Sequence, residues 1–411
     1  MARTARKYRK KPSKPYPSFP LTAHNNGQWC KKIRGKVHFF GTWDDPQAAL
    51  DRYLRVAEDL HAGQQPSKSK LSGDEPRVKH ICNEYLTYQA GKAERNDIRA
   101  RTFAEYRNVI ESFAAFVGPT RAISALTPND FQQFRNKIAQ KGLTGKGKGL
   151  GVHALSRNIT MLRSMFRYAY DMDLIDRPVK FGRAFEKPSL SQRRRNRQLA
   201  EQENGKRLFT PAQIRTLLEA ANRPLRTMIL LGINGGFGNT DCARLPISAI
   251  DFAQNLVDFS RTKTGLLRIV PLWPQTSEDL RESLKTRPKP ATKEAERRVF
   301  LTAFGNPWLR EKIHRRPDGK IEKVVCVDAI VTKFDKLLRK LGMKRKGLGF
   351  YALRHTFRTW ADEVNDQHAI HRIMGHVIPG MSGIYVQEIG LDRLRRVVDH
   401  VRWKLFEASD E

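Results

Sequence analysis

The sequence predicts a mainly α-helical protein with small antiparallel β elements, divided among two or three domains. Three observations carry that expectation. The chain has 411 residues, more than one compact core ordinarily takes. Long stretches in its middle and C-terminal parts place apolar residues at helical i, i+3, i+4 spacing. Two short stretches alternate polar and apolar residues around a tight turn, the pattern of paired strands.

Residues 1–22 open MARTARKYRKKPSKPYPSFP, which mixes Arg and Lys with Pro and holds no acid. Such a segment has little apolar area to bury and reads as a basic disordered arm that orders on phosphate, with Arg6, Lys7, Arg9, Lys10 and Lys11 as DNA contacts. Residues 23–66 read as a small sheet with one helix. GQWCKKIRGKVHFFGTW turns at Arg34-Gly35, and DDPQAALDRYLRVAEDLHAG starts with Asp44, Asp45 and Pro46 and stops at Gly63. Lys32 and Arg34 extend the basic set, and QQPSKSKLSGDEP reads as a linker.

Residues 76–180 read as a helical domain. TFAEYRNVIESFAAFVG sets Phe103, Tyr106, Val109, Ile110, Phe113 and Val117 on one stripe, which core packing explains without any ligand. The next helix runs from a Thr cap to Gly142, and LTGKGKGLG is a loop whose Lys146 and Lys148 face phosphate. HALSRNITMLRSMFRYAYDMDLI is a long amphipathic helix. The polar, unpatterned FEKPSLSQRRRNRQLAEQENGKRLFT reads as a linker over 181–206.

Residues 207–411 form the last domain. TPAQIRTLLEAA starts a helix at Thr-Pro, and PLRTMILLGINGG is a buried helix ending in glycines. NLVDFSRTKTGLLRIVPL reads as two short strands around a Thr-Gly turn. VDAIVTKFDKLLRKLG, LRHTFRTWADEV, HAIHRIMGH and LDRLRRVVDHVRWKLF read as helices.

Charge narrows the function. With 76 Lys and Arg against 42 Asp and Glu, the net charge is +34, spread along the whole chain, and a polyphosphate is the natural partner of such a field. No apolar run suits a membrane span or a secretory signal. Cys30, Cys82, Cys242 and Cys326 form no CxxC pair, which argues against zinc ribbons and disulfide frameworks and fits a reducing cytosol. Composition alone reads as a cytosolic protein that binds nucleic acid; the resemblance described next narrows the partner to double-stranded DNA and the place to the nucleoid.

The chemistry lies near the C-terminus. FYALRHTFRTWADE carries Arg354, and IHRIMGHVIPGMSGIYVQ carries His376 in a Gly-His pair and then Tyr385. These residues and their intervals resemble the second box of the tyrosine recombinases, the phage integrase family. The resemblance covers about residues 207–407 well and extends more weakly over 78–180. It implies the family's C-shaped clamp on DNA, a helical core-binding domain plus a mixed α/β catalytic domain, and activity without metal or cofactor. It also implies attack by the Tyr385 hydroxyl on phosphorus, with a 3′-phosphotyrosine and a free 5′-hydroxyl as products. Arg354 would hold two phosphate oxygens with its planar fork, and His376 would hydrogen-bond the phosphate or help take the tyrosine proton. Lys263, in the TKTG turn, matches the family's general acid. The C-terminal helix would dock on a neighbouring protomer in a tetramer or close its own domain.

Two positions depart from the pattern. The arginine of the family's first box, aligned on GGFGNTDCARL, falls on Gly238, while Asp241 matches the family's acid. The His usually found three residues before the second-box arginine is Tyr351, which takes that place in the expected catalytic set with Arg354, His376, Lys263 and Tyr385. Loss of one preorganised donor costs about 10²–10³ in rate. Arg244 and Arg226 are the substitutes the sequence offers. A catalytically silent DNA-binding relative and a type IB topoisomerase are the competing readings.

Overall fold

The structure is a computed structural model describing residues 11–64, 66, 75–145, 147–261, 265–315, 317, 319, 321–378 and 388–408. The chain divides into two compact units, Met1–Arg193 and Arg194–Glu411.

The first unit holds two hydrophobic cores. One belongs to an antiparallel sheet in the order β1 (Thr22–His24), β2 (Gln28–Ile33), β3 (Lys36–Thr42), covered by α1 (Pro46–Ala62). Asp45 caps α1 through the Ala48 amide, and Gly63 ends it in the left-handed region at φ 82°. The β2–β3 turn falls at Arg34-Gly35, where both residues take positive φ. One correction concerns the arm: Phe19 and Leu21 are buried in this core, and Phe19 packs edge-on against Trp29 at 5.0 Å. The segment read as arm therefore supplies core residues at its C-terminal end. Residues 1–10 lie outside the described set.

The other core joins α2 (Val78–Glu94), α3 (Ala100–Val117), α4 (Pro128–Lys141) and α5 (Val152–Asp171). Phe103, Val109, Ile110, Phe113 and Val117 are buried along α3. Thr127 and Asp130 form a capping box at the start of α4. The stretch read as a linker differs from that reading. Phe185 is wholly buried in this core, and Leu190–Asn204 is a helix, α6, with no buried residue. Its helix-forming Arg, Gln and Glu content carries it without an apolar stripe.

The second unit is built around α8 (Leu225–Gly235), of which every residue except Arg226 is buried. Against it pack α7 (Pro211–Ala220), α10 (Pro274–Lys285) and α13 (Tyr351–Ala361). Gly232 permits the approach of α13, since a Cβ there would lie 2.9 Å from Leu353 Cδ1. The short α9 (Asn239–Arg244) leads into a three-stranded antiparallel sheet, β4 (Ile250–Asp251), β5 (Leu256–Asp258) and β6 (Ile269–Pro271). After α11 (Lys293–Glu296) comes a hairpin absent from the sequence reading, β7 (Leu309–Arg315) with β8 (Ile321–Asp328). The Pro-Asp-Gly at 317–319 was its signal. Asp328 then caps α12 (Ala329–Lys340) through the Val331 amide.

α14 (Gln367–Met374) and α15 (Leu391–Phe406) complete the unit. α15 closes its own domain. Leu394, Val397, Val398, Val401 and Leu405 are buried in the core, and Trp273 Nε1 donates to the Val398 carbonyl at 2.8 Å. No described helix is long and apolar enough to cross a membrane.

Candidate active site

Arg354 lies on the buried face of α13 and is only 2% exposed. Three groups hold its guanidinium. It donates to the carbonyls of Gly236 and, at 2.9 Å, of Met374, and its Nη2 lies 2.6 Å from His376 Nε2. Arginine has no acceptor, so His376 Nε2 accepts and the imidazole is neutral with its proton on Nδ1. Burial first, then the neighbouring Arg354 and Arg261 charges, lower the His376 pKa to about 4. The sequence brings these groups together by ending helices. Gly236 terminates α8 and Gly375 terminates α14, both in the left-handed conformation, which turns the chain and leaves the carbonyls of Gly236 and Met374 facing the arginine.

Further cations surround Arg354. Burial, then Arg261 and then Arg268, push its own pKa down to about 10, which leaves it charged at neutral pH. Arg268 is wholly buried, stacked on the Phe237 ring at 3.6 Å, with Nη1 3.3 Å from Asp241 Oδ2. That contact misses hydrogen-bond geometry, and Nε, Nη1 and Nη2 of Arg268 have no hydrogen-bond partner. The Asp241 oxygen is engaged elsewhere, accepting the Gly238 amide at 2.9 Å. Three guanidinium groups thus share a neighbourhood in which, among the described residues, Asp241 is the carboxylate that approaches one of them, an environment suited to an anion.

The two departures from the family pattern touch each other. A Cβ built on Gly238 would lie 3.3 Å from Tyr351 Cε2, close enough that a side chain there would press on the tyrosine ring. Tyr351 itself is 47% exposed and edge-on to His355. Of the other arginines, Arg226 is bonded to Asp279 and the Leu218 carbonyl, and Arg244 faces Glu311 at 3.8 Å. Lys11, Lys32, Arg34 and Lys148 are exposed in the first unit. Tyr385, Lys263, Arg6, Lys7, Arg9, Lys10 and Lys146 lie outside the described residues.

Arg261 and Arg268 escaped the sequence reading. For Arg268 the signal was present: an arginine inside the apolar run LLRIVPL has to be paired or put to use, since arginine is rarely fully buried alone.

Comparison with known proteins bears on the fold and on the C-terminal domain. No curated protein matches the chain by sequence. A lambda integrase dimer bound to a COC′ core site is similar in fold, with TM-score 0.53 and 15% identity over 97% of this chain and 99% of that one. The Tn1549 transposon integrase in complex with transposon right end DNA has TM-score 0.52 and 16% identity over 80% of this chain and 100% of that one. A lambda integrase tetramer bound to a Holliday junction has TM-score 0.51 and 16% identity over 96% and 99%. Residues 207–389 match the model of the phage integrase family.

Proposed function

We propose that this chain is a site-specific recombinase that cuts and rejoins double-stranded DNA through a 3′-phosphotyrosine, with Tyr385 as nucleophile. The observation that carries the reading is the buried Arg354, held by two carbonyls and His376 among other guanidinium groups. A phosphodiester entering there meets donors fixed in advance, which lowers the cost of charge building on its oxygens. The Tyr385 oxygen bonds to phosphorus as the bond to the 5′-oxygen breaks. Lys263 gives that oxygen its proton, the tyrosine proton passes to water, and His376, whose Nε2 is taken by Arg354, hydrogen-bonds the phosphate through its Nδ1–H. Reversal by another 5′-hydroxyl joins strands, and the phosphotyrosine conserves the bond energy, so no nucleotide cofactor is needed.

The assembly on recombining sites is a tetramer, an inference supported by the likeness in fold to the lambda integrase tetramer on a Holliday junction. The domains are a basic arm that ends before Phe19, an arm-binding-like domain running to residue 66, a core-binding domain over 76–180 whose core also takes in Phe185, a connection carrying the helix Leu190–Asn204, and a catalytic domain over 207–411. Lys11, Lys32, Arg34 and Lys148 serve as phosphate contacts, and the protein works in the cytoplasm on the nucleoid.

The test is covalent trapping. Tyr385→Phe should leave DNA affinity within a few-fold and abolish the SDS-resistant protein–DNA adduct. An adduct that persists identifies another nucleophile.

A further inference from the structure

The gap at Gly238 raises the question of what supplies the second cation to the phosphate. We propose that Arg261, on the hairpin between β5 and β6, is the second clamp arginine of this enzyme, with the buried Arg268 behind it as a positioning residue; this rests on the recombinase reading above.

Three observations converge on Arg261. The first is place. Its side chain runs along the backbone that holds Arg354: a Cβ on Gly375 would lie 2.9 Å from Arg261 Cβ and 3.2 Å from its Cδ. Gly375 sits between Met374, whose carbonyl Arg354 binds, and His376, whose ring Arg354 binds. The Arg261 charge is accordingly the largest charge contribution lowering Arg354 and, after Arg354, the next largest on His376.

The second is availability. Arg261 is half-buried, its Nε is enclosed without a hydrogen-bond partner, and no carboxylate among the described residues pairs with it. Arg226 and Arg244 already face acids. The backbone, by contrast, is firmly held: the Arg261 amide donates to Leu266 and its carbonyl accepts from Gly265, both at 2.8 Å. A guanidinium held at its root and unpaired at its tip beside two phosphate-binding groups is a clamp arm without its anion.

The third is the buried charge behind it, which has one carboxylate contact, Asp241 at 3.3 Å, and a ring face, Phe237. Arg268 is 0% exposed and none of its three guanidinium nitrogens is hydrogen-bonded. A buried, unsatisfied cation is costly, and an anion bound nearby offsets that cost. Arg268 lies too deep to be a first choice for direct contact, but its charge repels the Arg261 tip and biases it outward toward the DNA. In this arrangement the clamp arginine has moved from the start of α9 to the hairpin that carries Lys263, and Tyr351 fills the space left at Gly238.

The experiment starts from a pool of nicked duplexes with randomised flanks. Wild-type protein is trapped on them covalently, and sequencing the trapped DNA yields a working duplex. On that duplex Arg261→Ala should slow adduct formation by about 10²-fold. Arg261→Lys should lose less, since it keeps the charge without the fork. The decisive arm replaces the scissile phosphate by a methylphosphonate, which carries no charge. The gap between wild type and either variant should then close to within a few-fold, an outcome a merely structural role would not produce. Thermal melting checks that the variants are folded, and Arg261→Lys with the methylphosphonate decides the matter if Arg261→Ala is not. Unchanged cleavage by both variants overturns the proposal, as does a loss that the methylphosphonate fails to relieve. Failure of wild type to form any adduct on the pool overturns the recombinase reading itself, and the clamp with it.

Discussion

At the scale of single residues, the site is governed by a shortage of acids. Arg354, Arg261 and Arg268 crowd one region, and Asp241 is shared between an arginine and a backbone amide. Burial and these charges keep His376 neutral far below its ordinary range. The two departures from the family pattern, Gly238 and Tyr351, are neighbours in space. Gly238→Arg alone should therefore not raise cleavage, because its Cβ is crowded by the tyrosine ring. Paired with Tyr351→His, which shortens the side chain, the same arginine should reach the phosphate and raise adduct formation, by up to about 10-fold for a donor added to a clamp already served by Arg261. Adduct yields of the single and double variants on one duplex measure this. A single variant that outperforms the double one would show that Tyr351 does not guard the position.

At the scale of elements, the C-terminal helix decides whether the second unit is self-contained. Its buried residues, the Trp273 bond to the Val398 carbonyl and the Arg215 bond to the Leu405 carbonyl at 2.7 Å tie it to its own domain. The Arg393–Asp366 pair adds a two-point contact at 2.7 and 2.8 Å. Leu394→Ala should accordingly cost about 2–5 kcal/mol, the range for emptying a packed core site. The loss should not vary with protein concentration when unfolding is followed in urea. A concentration-dependent midpoint would mean that the helix is stabilised by a partner instead.

At the scale of the whole molecule, the net charge of +34 sets the encounter with DNA. Contacts made through phosphates release counterions and carry no sequence information. Deleting residues 1–10, with their run of Arg and Lys, should weaken binding to all duplexes alike and flatten the dependence of affinity on salt. Binding isotherms at several salt concentrations test it. A deletion that changes the preferred sequence and leaves the salt slope intact would show that the arm reads bases. Phe19 and Leu21 mark where the arm must end, since truncation through them opens the small sheet's core.

Helical periodicity, caps and the pairing of Arg354 with His376 were legible in the sequence by itself. Each is a local pattern, in which spacing along the chain fixes direction in space. The small sheet with its helix, the aromatic stripe of α3 and the strands flanking TKTG followed from such patterns. What only the tertiary structure decided depends on residues far apart in sequence. Arg261 approaches Arg354 because a hairpin and a helix end meet at Gly375. Tyr351 meets Gly238 because α13 packs on α8, and Phe185 is core because a segment without periodicity happens to cover one. A one-dimensional pattern cannot carry such facts, because they are set by how helices and loops close on each other, and charge pairing follows from that closure rather than preceding it.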